Sequence, residues 1–235
     1  MTRVLVVSGT GTGVGKTVVT AAIAALAIAR GDRVAVVKPA QTGTAAGEIP
    51  DTEAVRRLTG LADTHELATF PDPLSPEAAA RVAGLAPLDL RGAADHVAKL
   101  AESRDLVVVE GAGGLLVRYD PDGGTIADLA AALDAPVAVV AAAGLGTLNH
   151  TALTLEALAA RKLAPAGVVI GSWPCQPGIA ELANLTDLQA IAGGPLAGVM
   201  PAGAGGLDLA GFLAAATAGL AECLGGTRAR SLTGL

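Results

Sequence analysis

Hydrophobic residues along this chain occur in short runs separated by longer stretches rich in Ala and Leu. Six runs of strand length, built mainly from Val, Leu, Ile and Ala, cover residues 4–8, 34–38, 106–110, 137–142, 167–171 and 196–200. Such runs do not alternate with polar residues, which is typical of parallel strands covered on both faces. The stretches between them predict helices over residues 16–30, 52–59, 76–83, 88–103, 125–133, 149–163, 177–191 and 207–224. This alternation predicts an α/β fold with a doubly wound, mostly parallel sheet and helices on both faces.

No linker or internal repeat divides the chain, so residues 1–224 are predicted to form a single domain. The segment 225–235 is predicted to be a short, poorly ordered tail. In open α/β sheets, ligands bind beyond the carboxyl ends of the strands. The segments that follow the later predicted strands are rich in Gly and polar residues: KPAQTG (38–43), EGAGGLL (110–116), GLGTLNH (144–150), GSWP (171–174) and PAGAGG (201–206). We therefore expect the ligand site at this edge of the sheet.

The segment GTGTGVGKT, residues 9–17, lies between the first predicted strand and an Ala-rich helix. Backbone N–H groups of such a loop favour a polyphosphate, while Lys16 can reach its outer phosphates and Thr17 can bind Mg²⁺. The usual pattern, G-x-x-x-x-G-K-[ST], requires a glycine at position 10, where this chain has Thr10. A dinucleotide fingerprint would require a glycine at position 14, which is Val14. The position of this segment between a predicted strand and a predicted helix favours a phosphate-binding loop. The sheet is therefore predicted to be of the P-loop NTPase type.

Three further charged residues lie at predicted strand or helix ends on the ligand edge. Lys38 closes the second strand. Beside a triphosphate, a second ammonium can neutralise a transferring phosphoryl group or hold an anionic second substrate. Glu110 closes another apolar strand, a position that suits a carboxylate supporting a metal ion. Asp51 begins a predicted helix, and its spacing alone favours a simple N-cap role.

Composition excludes several classes of partner. The net charge of −6 and the pI of about 5.0 argue against a basic surface that binds nucleic acid. The uncharged stretch 135–155 contains Pro136, Gly144 and Asn149, which favours a strand, a turn and a helix start over a membrane span. Cys175 and Cys223 lack metal-ligand spacing and favour buried free thiols in a reducing compartment. We therefore expect a cytoplasmic protein without membrane or nucleic-acid partners.

Taken together, the loops resemble those of the dethiobiotin synthetases, ATP-dependent P-loop enzymes of biotin synthesis. The resemblance extends over residues 4–206 and rests on GTGTGVGKT, KPAQTG, Asp51, EGAGG and GLGTLNHT, in that order. The family loop, G-T-D-T-x-V-G-K-T, has the same five-residue interval that separates Gly9 from Gly15 here. The resemblance implies that CO₂, supplied as bicarbonate, forms a carbamate with one amine of 7,8-diaminopelargonate. ATP then phosphorylates the carbamate, and the neighbouring amine closes a cyclic urea to give dethiobiotin, ADP and phosphate.

The resemblance also implies a role for each matching residue. The catalytic residues would be Lys38, Lys16 and Thr12, and Mg²⁺ would be held by Thr17, Asp51 and Glu110. The nucleotide would contact Gly13, Val14, Gly15, Lys16, Thr17, Val18, Gly171, Ser172, Pro201, Ala202 and Gly203. The diamine would contact Thr12, Lys38, Thr42, Ala112 and Gly113 of one subunit. In a homodimer, the other subunit would supply Gly146, Leu148 and Asn149, whose helix start receives the substrate carboxylate.

The chain departs from the family pattern at two places. Gly11 and Gly13 stand where the family loop often carries acidic residues, so no loop carboxylate can assist. Gly171 stands where the family usually has an Asn that hydrogen-bonds adenine. Losing a side chain that pairs with a base edge removes selectivity for that base. We therefore expect ATP as co-substrate, with other nucleoside triphosphates also accepted.

The alternative interpretation is a deviant P-loop ATPase switch of the partitioning or septum-site type, which acts on DNA or membranes through dimerisation. Loops of that type carry an additional lysine near their start, where this chain has Thr10 and Gly11. They also need a basic face or an amphipathic anchor. The C-terminal segment GGTRARSLTGL is short and weakly amphipathic, which argues against such an anchor.

Overall fold

The computed structural model of the protein describes residues 4–47 and 49–229. Within them, one sheet contains seven strands: β1 (Val4–Gly9), β2 (Val34–Gln41), β3 (Thr64–Thr69), β4 (Leu106–Gly114), β5 (Val137–Ala141), β6 (Pro165–Trp173) and β7 (Gly198–Pro201). The strand order is β3-β2-β4-β1-β5-β6-β7, and every neighbouring pair is parallel. The predicted doubly wound parallel sheet is therefore confirmed.

Eight α-helices connect these strands in the described residues: α1 (Lys16–Ala29), α2 (Asp51–Thr59), α3 (Pro76–Ala83), α4 (Leu90–Ala101), α5 (Ile126–Ala132), α6 (Thr147–Ala160), α7 (Ile179–Ala192) and α8 (Leu209–Gly219). Each overlaps one of the helical stretches that the sequence predicts. No helix in this part of the chain has both the length and the apolar composition that crossing a membrane requires.

The sheet is packed on both faces, which explains why its central strands are apolar without alternation. Successive residues of β1 point to opposite faces, as the pleat of a strand requires. Val6 lies in one hydrophobic cluster with Leu129 and Leu158 of the covering helices. Val7 lies in a second cluster, on the other face, with Leu26 and Phe212. Both faces of the central strands are thus buried, and polar side chains are left for the strand ends.

The sequence analysis missed the strand β3, whose sequence is THELAT. All six of its residues are half-buried or exposed, unlike the fully buried central strands. It pairs only with β2 among the described strands, in a register that sets Val36 opposite Thr64. An edge strand contacts solvent, so it needs no continuous apolar run and gives no such signal.

Several strands run further towards the ligand edge than the sequence predicts. The strand β2 continues to Gln41, β4 to Gly114 and β6 to Trp173. Ala112 and Ser172 therefore lie within strands and not in the loops that follow them. The helix α6 starts at Thr147 and not at Asn149 as expected. These extensions are short and mix Gly, Pro and polar residues with single apolar ones, so they form no continuous apolar run.

The described portion of the predicted tail packs on the domain, since the N–H of Thr227 donates to the Thr217 carbonyl at 2.8 Å. Arg228 likewise bridges to Ala221. The remainder of that tail, 230–235, lies outside the described residues. The expectation of buried thiols is wrong, because Cys175 and Cys223 are both free and exposed.

Candidate active site

The phosphate-binding loop connects β1 to α1. Gly13 and Gly15 have φ angles of 74° and 96°, a left-handed conformation that favours glycine. Gly15 is also the N-cap of α1, and no side chain caps this helix. The first N–H groups of a helix lack partners within the helix and favour an anion. The loop and the start of α1 therefore provide backbone donors for a polyphosphate.

Lys16 is the first residue of α1, and its side chain folds back over the loop. Its Nζ donates to the Gly11 carbonyl at 2.9 Å. Burial, together with the positive charge of Lys38, lowers the pKa of Lys16 to about 8. Because the ammonium is buried and close to a second cation, an approaching polyphosphate would be a favourable counterion.

Lys38 lies at the centre of the charge cluster. Its Nζ is 2.5 Å from Asp51 Oδ2 and 2.9 Å from Glu110 Oε1, and it donates to the Gly111 carbonyl at 3.2 Å. Burial lowers the pKa of Lys38, but the carboxylates of Glu110 and Asp51 outweigh it and raise that pKa above the ordinary value. Lys38 therefore remains a cation in a nearly dry position within the buried strand β2.

Three oxygen-bearing side chains converge beside this lysine. The Thr17 hydroxyl lies 2.9 Å from Asp51 Oδ1 and 2.8 Å from Glu110 Oε1. A hydroxyl has one hydrogen, so it can donate to only one of the two carboxylates at a time. A divalent cation can be coordinated by oxygens of all three groups. The three side chains therefore fit Mg²⁺, with phosphate oxygens and water as its remaining ligands. No cluster of three or more His, Cys, Asp or Glu side chains with metal-binding geometry occurs in the described residues.

The Asp51 carboxylate lines the cavity and does not cap the helix α2. Pro50 is the N-cap of α2, and Asp51 is the first helical residue. The desolvation of Asp51 raises its pKa, but the ammonium of Lys38, the hydroxyl of Thr17 and the charge of Lys16 together outweigh it and lower that pKa below the ordinary value. The side-chain oxygens of Asp51 contact Thr17 and Lys38, so the N-cap interpretation is not supported.

These groups line one cavity of about 730 Å³ at the carboxyl edge of the sheet. It brings together twelve of the predicted site residues: Thr12, Gly13, Gly15, Lys16, Thr17, Val18, Lys38, Thr42, Asp51, Glu110, Ala112 and Gly113. The cavity thus joins the phosphate loop to the predicted metal ligands and to the residues that the resemblance assigns to the diamine.

One wall of this cavity escaped the sequence analysis. It consists of Pro73, Leu74 and Ser75, which lie between β3 and α3, and of Pro76, the first residue of α3. Because β3 was not predicted, the segment at its carboxyl end was not placed at the ligand edge. Predicting the strand THELAT would have revealed this wall, since the carboxyl ends of parallel strands share one edge.

The residues predicted to bind the base lie at the same edge but outside this cavity. Gly171 packs against the phosphate loop so closely that a Cβ there would lie 2.1 Å from the Val14 carbonyl oxygen. Trp173 aligns with Pro201 in the sheet, and its carbonyl accepts from the Ala202 N–H at 2.7 Å. A separate cavity of about 350 Å³ is lined by Trp173, Pro174, Cys175, Pro177, Leu182, Pro201 and Ala202. Ser172 and Gly203 are exposed beside it.

The predicted residues at the start of α6 also lie outside the main cavity. Gly146 is the N-cap of this helix and adopts a left-handed conformation with φ 91°. No side chain caps the helix start. Leu148 is half-buried and Asn149 is exposed. Within one subunit, these three residues are therefore not assembled with Lys38.

Comparisons with known proteins agree with this geometry. A family model described as an AAA domain matches residues 3–204. The ATP-dependent dethiobiotin synthetase BioD of Frankia casuarinae is 64% identical over 223 residues, covering 95% of this chain and 94% of that protein. The protein of the same name from Streptomyces coelicolor is 56% identical over 224 residues, with coverages of 95% and 94%.

Solved structures of similar fold include a septum site-determining protein and a ParA family ATPase. The septum site-determining protein MinD of Pyrococcus horikoshii superposes with a TM-score of 0.60 at 18% identity, covering 92% of this chain and 93% of its own. A ParA family ATPase from Chlorobium tepidum gives a TM-score of 0.57 at 12% identity, with coverages of 92% and 97%. Likeness at such identities shows the P-loop fold alone and does not favour the switch interpretation. Because its far more similar relatives match along nearly their whole length, the chain belongs to the ATP-dependent dethiobiotin synthetase family.

Proposed function

We propose that this protein carboxylates 7,8-diaminopelargonate and closes the product to dethiobiotin, with cleavage of ATP to ADP and phosphate. The observation that carries the proposal is the position of Lys38. This buried cation lies between two carboxylates in the same cavity as the phosphate loop. Such a cation can stabilise a carbamate and the negative charge that develops as a phosphoryl group is transferred to it.

The proposed roles within one subunit follow from the cavity lining. The loop N–H groups and the start of α1 bind the triphosphate, and Lys16 moves from the Gly11 carbonyl to the phosphates. Thr17, Asp51 and Glu110 hold Mg²⁺, which neutralises phosphate charge when it is bound. Lys38 orients the carbamate towards the phosphate chain. The phosphorylated carbamate then loses phosphate when the second amine attacks its carbonyl carbon.

The diamine would lie between the phosphate loop and the carboxyl ends of β2 and β4. Thr12 and Thr42 contribute hydroxyl groups to the lining of the cavity, and Ala112 and Gly113 of β4 also line it. Gly113 has a φ of 67°, and a Cβ there would lie 2.9 Å from the side chain of Val117. The small residues therefore keep this side of the cavity open for a flexible aliphatic substrate.

A homodimer is part of the proposal, because the start of α6 does not line the cavity of its own subunit. The start of α6, with Gly146, Leu148 and Asn149, would enter the site of the other subunit and receive the substrate carboxylate. Support comes from apolar side chains that are exposed around this helix start. Leu145 is 95% exposed and Ile179 is 89% exposed. Large apolar side chains exposed together commonly mark an interaction surface.

The nucleotide is ATP, and other triphosphates are also proposed to serve. The base would lie near Gly171, Ser172 and the segment Pro201, Ala202 and Gly203. Among these, Ser172 has the only polar side chain. A cytoplasmic location, where ATP and bicarbonate are available, belongs to the same proposal.

The test is ADP release by the purified protein under four conditions. We expect little release with ATP and Mg²⁺ alone, and little with either the diamine or bicarbonate added singly. Both together should support sustained turnover. Stimulation by DNA or by anionic lipid vesicles, without any effect of the diamine and bicarbonate, would support the switch ATPase instead.

A further inference from the structure

We infer that Gln41 is a positioning residue that couples the metal-side carboxylate Asp51 to the substrate-side residue Thr42. Gln41 is the last residue of β2 and lines the main cavity. Its Oε1 accepts from the Asp51 N–H at 3.1 Å, and its Nε2 donates to the Thr42 carbonyl at 3.1 Å. The inference rests on the proposed function, because that function assigns Asp51 to the metal ion and Thr42 to the substrate. The two hydrogen bonds of Gln41 do not depend on that assignment.

The orientation of the Gln41 amide is fixed by its partners. A backbone N–H can only donate, so the atom that faces Asp51 must be the amide oxygen. A carbonyl can only accept, so the atom that faces Thr42 must be the amide nitrogen. Both ends of the side chain are thus used, and neither contact could be made by an apolar residue of the same size.

The helix α2 needs this contact because its own start lacks a side-chain cap. The first N–H groups of a helix have no partner within it. The N-cap residue is Pro50, which supplies no side-chain hydrogen bond. Gln41 provides the missing acceptor from a position ten residues earlier in the chain. The start of α2 is therefore held by the strand that also carries Lys38.

This contact fixes where the Asp51 carboxylate lies. Asp51 Oδ1 contacts Thr17 at 2.9 Å, and Oδ2 contacts Lys38 at 2.5 Å. Backbone N–H groups of residues 43–45 donate to the carbonyls of residues 70–72 and hold the first part of the segment between Gln41 and Asp51, while the Gln41 side chain holds its far end. Partners that orient a metal ligand commonly change metal affinity or activity by about 10- to 100-fold when they are removed.

The test compares Gln41→Leu with Gln189→Leu. Leu keeps the approximate size at position 41 but has no acceptor for Asp51 and no donor for Thr42. Gln189 lies on α7 and donates to the Leu185 carbonyl at 2.8 Å, remote from the main cavity, so it provides a matched loss of one glutamine contact. Binding of a non-hydrolysable ATP analogue is measured by calorimetry with and without MgCl₂.

For Gln41→Leu, we expect the MgCl₂ concentration at half-maximal enhancement of binding to rise about tenfold. Binding without metal should stay within about twofold of the wild type, and Gln189→Leu should match the wild type in both measurements. A purely structural role would lower the melting temperature without moving the MgCl₂ dependence, and that result would overturn the inference. So would an equal loss of binding with and without metal.

A second variant, Gln41→Glu, separates the two contacts and covers the case in which Gln41→Leu folds poorly. Glu keeps an acceptor for the Asp51 N–H but cannot donate to Thr42. We expect a MgCl₂ requirement no higher than that of the wild type and a KM for the diamine raised about tenfold, with kcat less affected. A raised MgCl₂ requirement in this variant would contradict the inference. If the wild type does not use the diamine, the proposed function fails, but the binding measurements still test Gln41.

Discussion

Lys38 contacts both site carboxylates and a backbone carbonyl, so its charge is held in one place. We expect Lys38→Ala to lower kcat by at least ~10²-fold, in line with the loss of a charge-stabilising group. Nucleotide affinity should change little, because Lys16 and the loop bind the phosphates. Leaving Asp51 and Glu110 without this cation should also lower the melting temperature. The exposed Lys99 provides the control, and Lys99→Ala should behave as wild type.

Steady-state kinetics and calorimetry decide the assignment of Lys38. Near-normal turnover combined with lost nucleotide binding would show that Lys38 serves the phosphates and not the carbamate. The same loss of kcat in Lys99→Ala would show a non-specific effect of charge.

Lys16 makes nucleotide binding depend on pH. Its pKa of about 8 lies below the ordinary 10.5, so the folded protein binds fewer protons than the unfolded chain between these values. Lys16 therefore lowers the free energy of unfolding, and this effect is fully present below pH 8. The effect becomes smaller as the pH rises towards 10.5. Phosphates favour the charged lysine, so metal-free ATP affinity should fall about tenfold from pH 7 to pH 9.

The control for this pH dependence is Lys16→Arg, because a guanidinium keeps its proton throughout the range. Its affinity for metal-free ATP should be nearly constant between pH 7 and pH 9, whatever its absolute value. A parallel fall in the variant and the wild type would assign the pH dependence to another group.

At the scale of strands and helices, the solvent exposure of each element determined whether it could be predicted from the sequence. The central strands are buried on both faces, so their apolar runs identified them and their parallel arrangement. The strand β3 is half-exposed and contains His65 and Glu66, so it gave no such signal. The contact between Gln41 and Asp51 depends on how β2 and α2 are placed in space. No local sequence pattern could reveal it.

The strand β6 supports the phosphate loop through a backbone contact. A Cβ at Gly171 would lie 2.1 Å from the Val14 carbonyl oxygen. Gly171→Ala should therefore displace the loop, lower stability by about 1–3 kcal/mol and weaken triphosphate binding. At Gly194, a Cβ would meet nothing within 4 Å, so Gly194→Ala is the matched control. Equal melting temperatures and equal ATP affinities for the two variants would contradict this account.

The nucleotide base is proposed to lie near the ends of β6 and β7, so the groups there would set base selectivity. Gly171 has no side chain, and the Ala202 N–H already donates to the Trp173 carbonyl. Few groups remain that could read a base edge, so CTP, GTP and UTP should support the reaction within about tenfold of ATP, a gap of ~1.4 kcal/mol. Measuring kcat/KM for the four triphosphates tests this. An ATP preference of a thousandfold or more would contradict this prediction, because it would require a group that hydrogen-bonds selectively to adenine.

At the scale of the whole molecule, the site is proposed to need two subunits. Lys38→Ala and Asn149→Ala should each be inactive as homodimers. In a heterodimer, one site combines an intact Lys38 with an intact Asn149 from the other chain. Half of randomly mixed dimers are heterodimers with one intact site each, so mixing should restore about a quarter of wild-type activity. No recovery, despite subunit exchange verified by mass spectrometry, would place the whole site within one chain.

The most direct test follows labelled carbon through the complete reaction. The protein is incubated with ¹³C-bicarbonate, 7,8-diaminopelargonate, ATP and Mg²⁺, and products are measured by mass spectrometry together with ADP and phosphate. The account predicts a cyclic urea that carries the label in its carbonyl group, with one ADP and one phosphate per molecule, and no such product from Lys38→Ala. ATP cleavage at an undiminished rate without the diamine, or with no labelled urea formed, would contradict it.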